Sequence, residues 1–161
     1  MKISFVFSSR HGTTEKITNI IASHFNNENI DIIDLKKIKS INIKDADIII
    51  LGASIHAGRI QKEMKKFCLK NISTLQQKHI ALFICRMFKE NEVAEFENAY
   101  PEVLRKNSIA NGILGGELLF EKMNFIEKFL VKKIAKINNS VSDIDNKAIE
   151  DFINKIKSVE R

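Results

Sequence analysis

A short loop near the start of the chain combines hydroxyl, basic and glycine residues, directly after an apolar run and directly before a helical pattern. Its members are Ser8, Ser9, Arg10, His11, Gly12, Thr13 and Thr14. The first turn of a helix presents unpaired N–H groups and the positive end of the helix dipole, which together favour an anion, and Arg10 adds a charge-assisted donor. The loop therefore predicts a phosphate site; the alternative is that Thr13 or Thr14 only caps the helix. It has neither the Gly-Lys-Ser/Thr ending of a Walker A loop nor the three glycines of a dinucleotide fingerprint.

Two later loops also follow apolar, strand-like runs. The first contains Gly52, Ala53, Ser54, Ile55, His56, Ala57 and Gly58, and the second contains Cys85, Arg86, Met87 and Phe88. Small residues in the first loop allow a flat ligand to approach the backbone. His56 is then either a donor to that ligand or an exposed loop histidine. Met87 and Phe88 either cover a ring face or anchor their own loop.

The two cysteines, Cys68 and Cys85, carry no sign of chemistry of their own. Cys85 has no second cysteine or histidine at metal-ligand spacing, so we expect a buried, unreactive thiol and no metal site. No window is apolar enough for a membrane span, and the first residues turn polar too soon for a signal peptide. We therefore expect a cytoplasmic protein in which both thiols stay reduced.

Apolar runs alternate with amphipathic segments along most of the chain. This alternation predicts an α/β domain with a parallel sheet and helices on both faces. The carboxyl ends of parallel strands meet at one edge, so the three loops above should converge there. A length of 161 residues favours a single domain over 1–161. The predicted strands cover 3–7, 30–35, 47–52, 79–85 and 109–118, and the predicted helices cover 14–25, 61–70, 90–107 and 145–157.

One segment, 119–139, breaks the alternation and reads as a helical insertion after the fifth strand. On a helical wheel its apolar stripe predicts core packing. The opposite face carries lysines together with Phe125 and Phe129, which suits an anionic membrane surface or the wall of a site for a flat ligand with carboxylates. The stripe consists of Leu119, Phe120, Met123, Ile126, Leu130, Ile134 and Ile137.

The chain carries an excess of positive charge, with 26 Lys and Arg against 20 Asp and Glu. The excess is localised: 119–139 holds five lysines and two glutamates, and 59–70 holds five basic residues and one glutamate. Both segments flank the sheet edge where the loops should meet. The pattern favours an acidic or anionic partner over a merely solvated lysine surface. We do not expect nucleic acid, because no recognition motif accompanies the charge.

The element order and the pattern Ser9-x-x-Gly12-x-Thr14-Glu15 resemble flavodoxin-like FMN domains. In that family the first loop holds the FMN phosphate, and the loops after strands three and four hold the isoalloxazine ring. The segments 7–14 and 52–58 are most similar to the menaquinone-dependent protoporphyrinogen oxidase branch, and the similarity includes the insertion. The resemblance implies a three-layer αβα sandwich whose five-stranded parallel sheet has the order 2-1-3-4-5.

The resemblance also implies a function. The protein would be an FMN-dependent oxidoreductase of haem biosynthesis that passes electrons from a porphyrinogen through FMN to a quinone. We expect it to lie in the cytoplasm, peripherally on the inner face of the cell membrane. The alternative is a flavodoxin-type electron carrier that serves a redox partner protein, a role that usually goes with an acidic docking face. No side chain is assigned as catalytic. The residues implied in cofactor binding are Ser9, Arg10, His11, Gly12, Thr13, Thr14, Ala53, Ser54, Ile55, His56, Ala57, Gly58, Cys85, Arg86 and Met87.

The chain departs from electron-carrier flavodoxins in its aromatic residues. It has no tryptophan and one tyrosine, Tyr100, which falls in a predicted helix. Stacking on the flavin ring would therefore fall to His56, Met87 or Phe88. His56 is the best candidate for a polar role near the flavin.

Overall fold

A parallel five-stranded sheet lies at the centre of the computed structural model, which describes residues 1–38, 40–88 and 90–160. The strand order is β2-β1-β3-β4-β5, as predicted. Phe5 of the central strand pairs with Ile32 on one side and Ile50 on the other. The inner strands are continuous apolar runs because both faces of the sheet are covered. The strands are β1 Lys2–Ser8, β2 Asn29–Asp34, β3 Ile48–Ser54, β4 His79–Cys85 and β5 Ala110–Ile113.

Helices cover the two faces of the sheet and give the predicted three layers. One hydrophobic core lies between the sheet and α1 and α7, and the other between the sheet and α2 to α5. Pro101 interrupts the predicted helix over 90–107 and restarts it as two short helices, because proline cannot continue a helical hydrogen-bond ladder. The helices are α1 Thr13–Ala22, α2 Lys62–Lys70, α3 Ile72–Leu75, α4 Glu92–Ala99, α5 Glu102–Asn107, α6 Phe125–Ala135 and α7 Asn146–Lys157.

The run predicted as one fifth strand, 109–118, is divided in the structure. β5 ends at Ile113, and β6 (Gly115–Leu118) leaves the sheet to pair with β7 (Val141–Ile144) as an antiparallel ribbon. Gly115 makes this turn possible with a φ of 74°, and a Cβ there would lie 2.0 Å from the Asp143 carbonyl oxygen. The prediction failed because an apolar run does not reveal a change of direction inside it.

The insertion lies at the end of this ribbon, outside the sandwich. It is helical only over a single 3-10 turn, Phe120–Lys122, and over α6. The predicted packing of its apolar stripe in the core is wrong, because Ile126 is 68% exposed and Ile134 is 77% exposed. Periodicity shows that a helix has an apolar face but not that another element covers it. No helix in the described part of the chain is long and apolar enough to cross a bilayer.

Candidate functional site

The loop between β1 and α1 has the geometry of an anion cradle. Gly12, with a φ of 95°, turns the chain directly into α1. Its N–H donates a 2.9 Å hydrogen bond to Oγ of Ser9, so the Ser9 side chain holds the loop closed. The first N–H groups of α1 are then directed to the loop, where the helix dipole favours negative charge.

Several polar groups lie around this loop. The hydroxyls of Ser8 and Thr14 are fully buried; that of Ser8 makes no hydrogen bond to another described residue, and that of Thr14 lies against the Cys85 thiol. A Cβ at Gly12 would lie 2.9 Å from Nζ of Lys122, so the insertion brings an ammonium over the loop. Together with Arg10, which is 43% exposed, these groups fit the phosphate of FMN.

The loop after β3 is a tight turn with an open surface. His56 and Arg59 exchange two backbone hydrogen bonds of 2.8 and 3.1 Å. Ala57 and Gly58 make the turn with positive φ angles of 49° and 72°. No atom lies within 4 Å of the position that a Gly58 Cβ would take, so the backbone here is accessible to a flat ligand.

The loops after β3 and β4 are tied together by backbone. The N–H of Ile55 donates a 2.8 Å hydrogen bond to the Cys85 carbonyl oxygen. The Cys85 side chain is buried, and burial raises the pKa of its thiol to about 12. Its thiol therefore belongs to the core, and any part that it takes in binding a cofactor would be through the backbone.

Arg86 has a structural role in the loop after β4. Its guanidinium is buried and has Nε 2.9 Å from a Glu95 carboxylate oxygen and Nη1 3.9 Å from Glu92. Nη2 donates a 2.5 Å hydrogen bond to the Glu90 carbonyl. The side chain thus holds α4 against the loop instead of facing the turn after β3. Its neighbours Met87 and Phe88 line a separate cleft of about 240 Å³ beside the β6–β7 ribbon.

Glu127, in the first turn of α6, connects the first two loops. One of its carboxylate oxygens pairs with the Arg10 guanidinium, lies 3.6 Å from Nε2 of His11 and lies 4.0 Å from Nε2 of His56. The Glu127 side chain is only 11% exposed. The start of the insertion therefore lies over both the anion cradle and the turn after β3.

The local sequence of α6 fixes the position of this carboxylate. Asn124 and Glu127 form a capping box, in which each side chain accepts a hydrogen bond from the backbone N–H of the other. Lys16 of α1 pairs with Glu117 of β6 at 2.6 Å, which holds the ribbon to α1. The sequence reasoning missed Glu127, although the pattern Asn124-x-x-Glu127 indicates a helix start.

Burial and the neighbouring charges of Arg10 and His11 shift the pKa values of Glu127 and His56. Burial alone raises the pKa of Glu127, but the Asn124 N–H and the charges of Arg10 and His11 outweigh it, so the pKa is lowered overall. The pKa of His56 is lowered by burial first and by Arg10 second, with Glu127 opposing. At neutral pH Glu127 is therefore ionised and His56 is mainly neutral.

Comparison with known proteins decides the family. The sequence profile of the flavodoxin domain matches residues 4–145, which includes all three loops and α6. The chain belongs to the flavodoxin family. The matched residues include the ribbon and the helix that place Glu127 against the loops.

The chain is also similar to two proteins that share one name. The chain is 23% identical over 151 residues to protoporphyrinogen IX dehydrogenase (quinone) of Escherichia coli strain K12, which covers 89% of this chain and 83% of that protein. The protein of the same name from Leishmania major is 24% identical, with 88% of this chain and 65% of that protein covered. A solved flavodoxin from Streptococcus pneumoniae TIGR4 superposes with a TM-score of 0.60 at 17% identity, covering 99% of each chain.

The structure thus brings together two of the three predicted loops around one acidic residue. The segments 9–14 and 54–58 face each other across Glu127. The side chains of Cys85 and Arg86 point to the core and to α4. The single tyrosine, Tyr100, is buried and its hydroxyl donates to the Phe83 carbonyl at 2.8 Å, so it is no flavin-stacking residue.

Proposed function

We propose that this flavodoxin-family protein is an FMN-dependent oxidoreductase that takes electrons from a porphyrinogen-like substrate and passes them to a quinone. The observation that carries the proposal is the insertion, whose first turn lies on both loops that would hold the flavin. An electron carrier needs only an exposed flavin edge, whereas an added wall beside the flavin suits a site for a substrate. The similarity to the two named dehydrogenases over most of the chain supports the same assignment.

The first loop would bind the phosphate of the cofactor, and the turn after β3 would bind its ring. The N–H groups at the start of α1, the Thr14 hydroxyl and Arg10 would hold the phosphate, because they place hydrogen-bond donors and a partly exposed positive charge on one short loop. The open backbone of Ala57 and Gly58 would lie along the isoalloxazine ring. FMN, when bound, supplies the transfer of hydride or single electrons.

His56 and the insertion would define the substrate side of the site. His56 is 45% exposed and mainly neutral, so it can donate to or accept from a polar group of the flavin or the substrate. Lys122, close to Gly12, and the other lysines of 119–139 offer positive charge to the carboxylates of a porphyrinogen. A second basic segment, 59–70, begins directly after the turn that carries His56.

The outer surface of α6 suits an anionic membrane, where quinones are dissolved. Phe125 is 83% exposed, Ile126 68% and Ile134 77%, so the helix presents large apolar side chains to solvent. Lysines at 128, 132, 133 and 136 lie on the same short helix or at its end. An apolar helix bordered by lysines binds an interface by inserting its apolar side chains and attracting acidic headgroups. We infer a peripheral position on the inner face of the cell membrane.

Anaerobic turnover separates this proposal from the electron-carrier alternative. Protoporphyrinogen IX, a menaquinone analogue and the FMN-loaded protein are mixed without oxygen, and porphyrin fluorescence is followed. The proposal expects porphyrin to form in proportion to the protein and only when quinone is present. A rate equal to that without protein would contradict it, and efficient exchange with a flavodoxin reductase instead would support the carrier role.

A further inference from the structure

We propose that His11, His56 and Glu127 form a binding site for a divalent transition-metal ion of the zinc class. One ligand atom of each residue lies within 4.8 Å of the others. Nε2 of His11 and Nε2 of His56 both approach the same Glu127 oxygen, at 3.6 and 4.0 Å. The three residues come from three separate parts of the fold: the loop before α1, the turn after β3 and the first turn of α6.

The donor set matches the chemistry of such an ion. Two imidazole nitrogens and one carboxylate oxygen are the ligands of many zinc sites that keep a fourth position open. Tetrahedral bonds of about 2.0 Å place neighbouring ligand atoms about 3.3 Å apart. The His11 and His56 nitrogens therefore need to move toward Glu127 by less than about 1 Å, and toward each other by up to about 1.5 Å, since the three ligand atoms lie within 4.8 Å of one another. His56, on an exposed turn, has room for that movement and leaves the open side to solvent.

One of the ligand atoms lacks a hydrogen-bond partner. Nε2 of His11 is buried without a hydrogen bond to another described residue, whereas the buried Glu127 oxygen beside it is paired with the Arg10 guanidinium. A buried polar atom without a partner is uncommon, and a bound ion would satisfy it. The pairing of Glu127 with Arg10 does not fix this arrangement, because the Arg10 side chain is 43% exposed and can turn away.

Arg10 would leave its present position beside Glu127 when the ion is bound. A divalent cation replaces Arg10 as the counter-charge of Glu127, and two cations repel each other at one carboxylate. Arg10 is then released toward the anion cradle of its own loop. The ion would also fasten α6 to both loops, since its ligands come from all three elements.

This site could not be predicted from the sequence, because its ligands are spread over the chain. His11 and His56 are 45 residues apart, and Glu127 follows 71 residues later. Zinc motifs recognised from sequence place their ligands a few residues apart. Here the fold alone brings them together.

Metal titration tests the proposal without using enzyme activity. The full-length, FMN-loaded protein is titrated with Co²⁺, followed by its visible absorption, and with Zn²⁺, followed by calorimetry. We expect one ion per chain. The variants His11→Gln, His56→Gln and Glu127→Gln should each weaken binding at least tenfold. His24→Gln and His79→Gln, which change the two other histidines of the chain, both exposed, should bind as the parent does.

The outcomes are distinct. Binding that persists in all three ligand variants, or that is lost equally in His24→Gln and His79→Gln, overturns the site, as does the absence of a saturable signal in the parent. Circular dichroism of each variant shows that the fold is retained, and His56, on an exposed turn, should tolerate replacement even if His11 does not. Because the probe is the metal alone, the result does not depend on whether porphyrinogen is a substrate.

Discussion

Glu127 and Arg10 form an ion pair although they are 117 residues apart in sequence, and the pair joins the insertion to the anion cradle. The Glu127 side chain is mostly buried, whereas that of Arg10 is partly exposed. The carboxylate is thus the fixed partner, held by its capping box, and the guanidinium is the adjustable one. Glu127 therefore holds α6 against the loops, and the Arg10 side chain can leave Glu127 for another anion.

Replacing Glu127 by Ala should loosen α6 without unfolding the sheet. The change removes the pairing with Arg10 and the capping contact with the Asn124 N–H, and losing a buried charged partner costs roughly 1–3 kcal/mol. Trypsin cleavage at the lysines of α6 should become roughly 5- to 100-fold faster, because cleavage follows local opening. The thermal midpoint of the whole domain should change little.

The matched control is Glu150→Ala, which removes an exposed glutamate from α7. Its tryptic pattern should equal that of the parent. If Glu127→Ala leaves cleavage within 122–136 unchanged, the carboxylate does not hold the insertion and the bridging role fails.

Replacing Arg10 by Ala should weaken FMN and spare riboflavin. A charge-assisted hydrogen bond to phosphate is worth about 1.5–3 kcal/mol, so the dissociation constant of FMN should rise roughly 10- to 100-fold. Riboflavin has no phosphate, and its affinity should stay the same. Flavin fluorescence quenching measures both. An equal loss for the two flavins would mean that Arg10 acts on the ring or on the fold instead.

The sheet and two of the loops could be predicted because their signals are local. β3 and β4 are buried on both faces and therefore appear as unbroken apolar runs. The turn after β3 and the cradle before α1 then follow from where the strands end. Burial of Arg86 could not be predicted, since its carboxylate partner Glu95 is brought to it only by the packing of α4.

The position of the insertion could not be predicted from the sequence, for a different reason. It depends on the ribbon that starts at Gly115, where a positive φ turns an apparently continuous strand away from the sheet. Once the ribbon is formed, α6 returns to the loops and Glu127 meets Arg10 and His11. No periodicity within 119–139 carries that information.

Both cysteines should be unreactive in the folded protein. Burial raises the pKa of Cys68 and of Cys85 to about 12. At pH 8 the thiolate fraction of each is therefore roughly a thousandfold below that of a free cysteine. An Ellman titration should find no rapidly reacting thiol in the native protein and two after unfolding in guanidinium. A fast native phase would show that one thiol lies at the surface.

The double variant Phe125→Ser with Phe129→Ser should bind anionic vesicles more weakly. These rings are 83% and 56% exposed, and burial of a phenylalanine side chain contributes about 1.5–3 kcal/mol. Partitioning onto vesicles that contain phosphatidylglycerol should fall at least roughly tenfold, while FMN stays bound. Vesicle sedimentation measures it.

Val93→Ser is the control for that experiment, because Val93 is 64% exposed but lies on the acidic helix α4. Its vesicle binding should equal that of the parent. If the phenylalanine variant and the parent sediment alike, or if neither binds, the insertion is not a membrane contact.

Anaerobic flavin absorbance tests the central claim most directly. Protoporphyrinogen IX added to the FMN-loaded protein should bleach the flavin band, and a menaquinone analogue added afterwards should restore it, each within the time of a catalytic turnover. A flavin that stays oxidised with porphyrinogen, yet is readily reduced by a flavodoxin reductase, would contradict the proposed oxidoreductase and identify an electron carrier.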